Sequence, residues 1–413
     1  MKAEQFKVGP SVAVAEIPAR IGIRSDGIRT LSRSSDTFVR LASGIALGLA
    51  ILLSMVLRPQ GTSLVGEGIA ASSIPGAGDP ASALQPAPHG TGSYEYYLTG
   101  NPADVTTRTR PGLVLMGGGA DIDECFEWMI ERSGGGDFLV LRTSGTDAYN
   151  SYIHEMITRT GIRPDSVATL IVGSREAAFD PFVLDAISRA EAVWIAGGDQ
   201  AMHVRCWQGT PVLKAIEAAV ARGVPVGGTS SGLDVLGQFL FSSENDTATM
   251  DNLCSEDALQ DPFHDQITLV RDFLNLPHLG GVILESHFVQ HDRMGRLVTF
   301  LGRILESGWT SEARGIGIQS NTALLVDPDG SAMVVAGPDA IVPAAYFLRI
   351  TREAAMCRAG EPLVVRLATV DQVRPGETFS LTAWRGPRMV SFSLAASEGV
   401  LESSHGSRAL YPE

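Results

Sequence analysis

Lysine is almost missing from this chain of 413 residues: Lys2, Lys7 and Lys214 are its only three, and arginine carries the rest of the positive charge. Acidic residues outnumber basic ones, 46 against 32, for a formal net charge of −14. Such a balance excludes a chain built to coat nucleic acid, which needs clustered cations against phosphate. It suits a neutral or cationic substrate, or simply well-solvated acidic faces. Cysteine is scarce too. Cys125, Cys206, Cys254 and Cys357 lie far apart with no C-x-x-C pair, which argues against zinc-ribbon or thioredoxin-like chemistry. Buried free thiols are expected, with one or two disulfides as the alternative for an exported domain. Charged residues make up only 19% of the chain and apolar ones 44%, so most of it is expected to fold around a sizeable core.

The first hundred residues are organised differently from the rest. Residues 1–40 form a basic segment, and residues 41–57, LASGIALGLAILLSMVL, are an uncharged apolar run at the lower edge of bilayer-spanning length. Arg40 and Arg58 bracket that run, and no Lys or Arg follows until Arg108. The asymmetry predicts a signal anchor with its amino terminus in the cytoplasm and the remainder outside the cytoplasm. A cleaved signal peptide is the competing reading. Residues 58–108 are rich in Gly, Ala, Pro and Ser and read as a flexible linker.

From Pro111 onward, short apolar runs alternate with helix-period segments, the pattern of an α/β domain whose mostly parallel sheet is flanked by helices. Strands are expected at 112–119, 138–145, 166–173, 192–200 and 224–232, several of them ending in glycine. Ligands of such sheets sit beyond the carboxyl ends of the strands, so these glycine-rich ends should converge on one crevice. Residues 242–265 carry seven Asp and Glu and read as an exposed acidic loop. The domain is expected to span 109–385, with 386–413 as a C-terminal tail.

Within VPVGGTSSG (224–232), Gly228 to Gly232 fit G-x-S-x-G, in which glycines permit a strained strand-to-helix elbow that exposes a serine Oγ. The plain alternative is a Gly/Ser-rich turn without chemistry; placement between an apolar strand and a helix favours the elbow. On that geometry the Ser231 amide points to where an oxyanion would form, with a second donor from Gly197-Gly198. Among the histidines, His287 in ILESHF follows a buried-strand pattern and is the candidate base; a structural histidine is the alternative.

Taken in order, GGDQ (197–200), GGTSSG (227–232), SHFVQHDRMGRL (286–297) and GIGIQSNTALLV (315–326) resemble the landmarks of the cyanophycinase and dipeptidase E group of serine peptidases. The resemblance covers about residues 110–385. It implies a fold like that of the class I glutamine amidotransferases, flavodoxin-like in its sheet. It also implies Ser230 as nucleophile, His287 as general base, and Gln200, Arg293 and Arg296 near the substrate. Cyanophycinases cleave a β-aspartyl-arginine polymer into dipeptides, and relatives cleave Asp-X dipeptides. A peptide substrate with Asp and Arg, no cofactor and no metal are therefore expected, and a homodimer is one expected assembly. The chain departs from the family pattern in four places. The acidic positions of a G-I-D-E-x-T-A-like stretch are Gln319 and Ser320, the Gln before the histidine is Ser286, and a pocket Arg is His291. Loss of a triad acid costs about 10⁴ in turnover in better-known triads, unless another carboxylate such as Glu285 substitutes. The alternative is a membrane-tethered, peptide-binding pseudoenzyme.

Two rival motifs are weaker. His287 and His291 with Asp292 have helical metal-ligand spacing but lack H-E-x-x-H. MGGGADIDE lacks the third glycine of a dinucleotide loop. Trp128, Trp194 and Trp207 read as core.

Overall fold

The computed structural model describes residues 93–246 and 253–413. The predicted anchor and most of the predicted linker lie outside the described residues. No helix of the described residues is long and apolar enough to cross a membrane.

Two nine-stranded sheets form the domain. The first contains the parallel neighbours β4 (Ser166–Ile171), β3 (Asp137–Arg142), β5 (Ala192–Ile195), β6 (Val226–Thr229) and β2 (Leu113–Met116), in that order. In β2, Leu113 and Leu115 face one core cluster while Val114 and Met116 face another, so helices cover both sides of the sheet. That double burial is why these strands read as unbroken apolar runs. Two of the helices around them start on side-chain caps. The Asp199 carboxylate accepts from the Ala201 and Met202 amides at the head of α4 (Gln200–Trp207), and Asp180 accepts from Phe182 at the head of α3 (Pro181–Arg189). α1 (Asp123–Ser133), α2 (Ala148–His154) and α5 (Pro211–Ala221) complete the set.

The expectation of a mostly parallel sheet needs correction: the fold is mixed. β1 (Glu95–Gly100) lies antiparallel on β4, and β11 (Thr322–Val326), β12 (Ser331–Ala336) and β16 (Thr378–Ser380) extend the sheet antiparallel beyond β2. The β11–β12 connection is a tight D-P-D-G turn, with Gly330 at φ 83°, which favours a hairpin over a crossover. In the second sheet only β7 (Phe239–Phe241), β9 (Val282–Glu285) and β10 (Glu312–Ile318) run parallel. β8 (Leu269–Arg271), β13 (Ala345–Thr351), β14 (Ala355–Met356), β15 (Val364–Val373), β17 (Val390–Ser397) and β18 (Val400–Ser403) add to it antiparallel. The amphipathic α8 (Met294–Glu306) packs its apolar face on this sheet through Leu297, Phe300, Leu301 and Ile304.

Three expected boundaries move. Residues 386–413 are not a tail, because β17 buries Phe392, Leu394 and Ala396 against β15, and Tyr411 packs on Phe288 and Tyr346. The strand VSFSLAAS does carry a strand signal, Val390, Phe392 and Leu394 alternating with serine and alanine, which the sequence reading passed over. At the other end, residues 93–108 are part of the domain, since β1 pairs with β4 and Tyr94 stacks on Phe182. Part of the acidic loop is helical. α7 (Ser255–Gln260) buries Ala258 and Leu259 in the core cluster that holds α8, while residues 247–252 are outside the described residues. All four cysteines are free; Cys254 is exposed and caps α7, and the other three are buried. Trp194 and Trp207 are fully buried in the core, and Trp128 packs against it half-buried.

Candidate active site

The chain passes from β10 of the second sheet to β11 of the first through Gln319, Ser320 and Asn321, and the predicted crevice opens at this crossing. Ser230 sits between β6 and the short helix α6 (Ser231–Asp234) at φ 54° and ψ −127°, a conformation that L residues adopt only when the surroundings enforce it. Here the flanking glycines enforce it. A Cβ on Gly228 would meet the Gly232 carbonyl at 2.3 Å, so the strand and helix approach too closely for any other residue. The Ser230 amide donates to the Met116 carbonyl at 3.2 Å, which ties the elbow to the end of β2.

His287 follows β9 at φ 45°, its amide held by the Gly117 carbonyl at 2.8 Å. Its Nε2 lies 3.0 Å from Ser230 Oγ, within reach for proton transfer. On the far side of the ring, Nδ1 is 2.8 Å from Ser320 Oγ, and Ser320 donates to Gln290 Oε1 at 2.5 Å. Burial, then the positive Arg293 and then His291, push the imidazole pKa down to about 4, so the ring is neutral at ordinary pH.

A buried ionic network backs the site. Asp234 accepts from the Ser286 amide at 2.8 Å and from its hydroxyl at 2.9 Å. Arg296 donates through Nη2 and Nε to Glu285 Oε2 at 2.6 and 3.1 Å, and Arg293 donates to the Ser286 carbonyl at 2.9 Å. Burial first and the Glu285 charge second raise the Asp234 carboxyl to about 7, against the opposing pull of Arg293 and Arg296.

The seven residues singled out from the sequence all line one cleft of about 530 Å³: Ser230, His287, Gly198, Gln200, Ser231, Arg293 and Arg296. Their engagements differ. The Gly198 amide donates to Ser231 Oγ at 2.8 Å, so it is already bonded instead of open to an oxyanion. The Ser231 amide opens α6 and has no partner within that helix. Gln200 spends its amide nitrogen on the Phe241 carbonyl. Arg296 is 3% exposed and paired with Glu285, which marks it as a support of the wall and removes Glu285 as a stand-in for the missing acid. Arg205 and Asp246 also line the cleft; neither stands in a motif that would have flagged it. Asp234, four residues after Ser230 on the short helix, carries a local signal that sequence reasoning passed over. Asp292, offered as a metal ligand with His287 and His291, instead accepts from Tyr411 Oη at 2.9 Å. Among the described residues no group of three His, Cys, Asp or Glu is arranged to hold a metal ion.

Residues 144–334 match peptidase family S51. The cyanophycinase of Synechococcus elongatus is 25% identical over 247 residues, which span 57% of this chain and 70% of the relative. That of Trichormus variabilis is 25% identical over 218 residues, spanning 52% and 66%. Among solved structures, a peptidase from an acI-B1 actinobacterium superposes with a TM-score of 0.42 at 17% identity, over 66% of this chain and 98% of that one.

Proposed function

From the premise that this chain carries a peptidase family S51 domain, we propose that it hydrolyses a peptide or isopeptide bond at an aspartyl residue through an acyl-enzyme on Ser230. The observation that carries the reading is the strained Ser230, with Oγ 3.0 Å from a neutral His287 at the floor of an open cleft. His287 Nε2 takes the Ser230 proton as Oγ bonds to the scissile carbonyl carbon; the same proton then passes to the leaving amine as the carbon–nitrogen bond breaks. Water repeats the sequence on the ester: His287 takes its proton, its oxygen bonds to the acyl carbon, and the returned proton restores Ser230 Oγ–H as the bond between Oγ and the acyl carbon breaks. The Ser231 amide is the donor best placed for the developing oxyanion. Arg205 and Arg293 offer cationic contacts for a carboxylate and Asp246 an anionic one for a guanidinium, which supports a β-aspartyl-arginine substrate.

The basic flank and apolar run at 41–57 support a membrane-anchored domain outside the cytoplasm, checked by whether external protease cleaves it in intact cells. The central test incubates the full chain and Ser230→Ala with a fluorophosphonate probe and with β-aspartyl-arginine. Labelling and dipeptide hydrolysis should both be present in the wild type and absent in the variant. The replacement of an acid by Ser320 favours the second reading, a peptide-binding pseudoenzyme. Saturable binding of the dipeptide by a folded wild type, with neither labelling nor turnover, would establish that reading in place of the first.

A further inference from the structure

We propose that Ser320 and Gln290 are positioning residues that set the tautomer and aim of His287 through a chain of neutral hydrogen bonds, in the place where a carboxylate is expected. The proposal rests on the reading of Ser230 as nucleophile and His287 as its base. The Nδ1 of His287 lies 2.8 Å from Ser320 Oγ, and that hydroxyl donates onward to Gln290 Oε1 at 2.5 Å. An amide oxygen only accepts, so the Ser320 hydrogen points away from the ring and the hydroxyl lone pairs face Nδ1. The proton of the neutral imidazole is therefore held on Nδ1, and Nε2 is bare toward Ser230 Oγ at 3.0 Å. With the opposite polarity, Nε2 would carry the hydrogen and Ser230 would face no base.

Both members of the relay are pinned. Gln319 Oε1 accepts from the Gln290 amide at 3.0 Å. Asn321, at φ 57°, donates its amide to the Gly118 carbonyl at 2.8 Å and accepts from the Ala120 amide at 2.7 Å, which fixes the turn that presents Ser320. The nearby carboxylates are committed elsewhere, Glu285 to Arg296 at 2.6 Å and Asp234 to the Ser286 amide at 2.8 Å. The remaining charged or titratable groups around the cleft are Arg293 and His291 on the loop of His287 itself, and Asp199, Arg205 and Asp246 across from it. Such a relay orients the imidazole without adding negative charge, so the imidazolium of the transition state is stabilised less than it would be by a triad acid. In exchange, the base stays unprotonated into acid.

Fluorophosphonate labelling of the full chain, followed from about pH 4 to about pH 9, tests the relay in Ser320→Ala, Gln290→Leu, Ser320→Thr and Ser320→Glu. Thermal melting confirms that each variant is folded, and ¹⁵N NMR of the His287 ring reports its tautomer. At neutral pH, labelling should slow roughly 10- to 100-fold in Ser320→Ala and Gln290→Leu, as expected when a general base loses its orientation. It should recover in Ser320→Thr, which keeps the hydroxyl. The Nδ1–H tautomer should dominate in the wild type and lose that dominance in Ser320→Ala. In Ser320→Glu the acid limb of the profile should rise by about one pH unit or more, because a carboxylate beside the ring favours its charged form. Wild-type rates, tautomer and pH profile in Ser320→Ala and Gln290→Leu, with Ser230→Ala still unlabelled, overturn the relay and leave the hydrolase reading standing. A folded wild type that is not labelled at any pH overturns both.

Discussion

Asp234 is buried on the short helix that follows Ser230, where a carboxyl group has two demands to meet: it must accept from both donors of Ser286, and it must do so out of water beside Glu285. Burial and the neighbouring charge raise its pKa to about 7, so the native state holds a proton there that the unfolded chain releases near the usual carboxylate value of about 4. Between those two values the folded protein binds more protons than the unfolded one, and stability falls as pH rises. Glu191, buried and raised to about 7 as well, adds to the same slope and is untouched by a change at residue 234. Asp234→Asn removes only the first contribution while keeping an oxygen for the Ser286 amide. Melting curves at intervals from about pH 5 to about pH 8 should show the wild type losing Tm relative to Asp234→Asn as pH increases. Parallel Tm profiles for the two proteins would mean that Asp234 is ionised throughout and that its burial is offset by Arg293 and Arg296.

The segment from Ser286 to Arg293, between β9 and α8, carries His287 and has no regular structure, so its shape depends on outside partners. Gln319 supplies two bonds, its side-chain oxygen accepting from the Val289 and Gln290 amides at 3.1 and 3.0 Å, and the Gly117 and Ile318 carbonyls supply others, accepting from the His287 and Phe288 amides. Gln319→Leu should remove about 1 kcal/mol for each lost bond at these partly exposed amides and slow the labelling of Ser230 by loosening His287. Gln319→Glu keeps the acceptor for the loop but loses the bond that Gln319 donates to the Ile341 carbonyl at 3.3 Å, so it should label Ser230 faster than the leucine variant does. If the leucine variant melts and labels as the wild type does, the loop is held elsewhere. How much of this element could be read in advance follows from what each residue depends on. β2 and β5 announce themselves because burial on both faces leaves no polar residue in the run, and Ser230 because an elbow that tight needs its glycines. His287 was legible from the strand that delivers it. Gln290 was not: a glutamine in a polar loop acquires a role only when a turn 30 residues later brings Ser320 beside it. Gln319 and Ser320 drew notice as substitutions in a family pattern, but their division of labour, one holding the loop and the other the ring, is a product of tertiary placement.

At the scale of the whole molecule, Ser230 follows a strand of one sheet and His287 a strand of the other, so their pairing is only as well formed as the packing of both. The first sheet is closed at one edge by β1, and the second is extended to its far edge by β17 and β18. The carboxyl-terminal residues also reach the loop of His287: Tyr411 Oη donates to Asp292 at 2.9 Å and accepts from the Met294 amide at 2.8 Å, while Gln372 donates to the Pro412 carbonyl at 2.7 Å. A chain ending at residue 385 would therefore strip β15 of its partner, uncover the apolar side chains that Phe392 and Leu394 bury, and release the clasp on the loop at once. Each large apolar side chain returned to water costs about 1.5–3 kcal/mol, and losses of that size at several positions approach the whole stability of a domain. Such a truncated chain should lack a cooperative thermal transition and should not label with fluorophosphonate. Tyr411→Phe isolates the clasp from the core. It keeps the ring packed on Phe288 and Tyr346 but loses both hydroxyl bonds, so it should melt cooperatively, with Tm lowered by a few degrees, and label Ser230 more slowly. A chain ending at residue 385 that melts like the full protein and labels at the same rate would show that the second sheet is complete at β15 and that the carboxyl-terminal strands contribute nothing to the placement of His287.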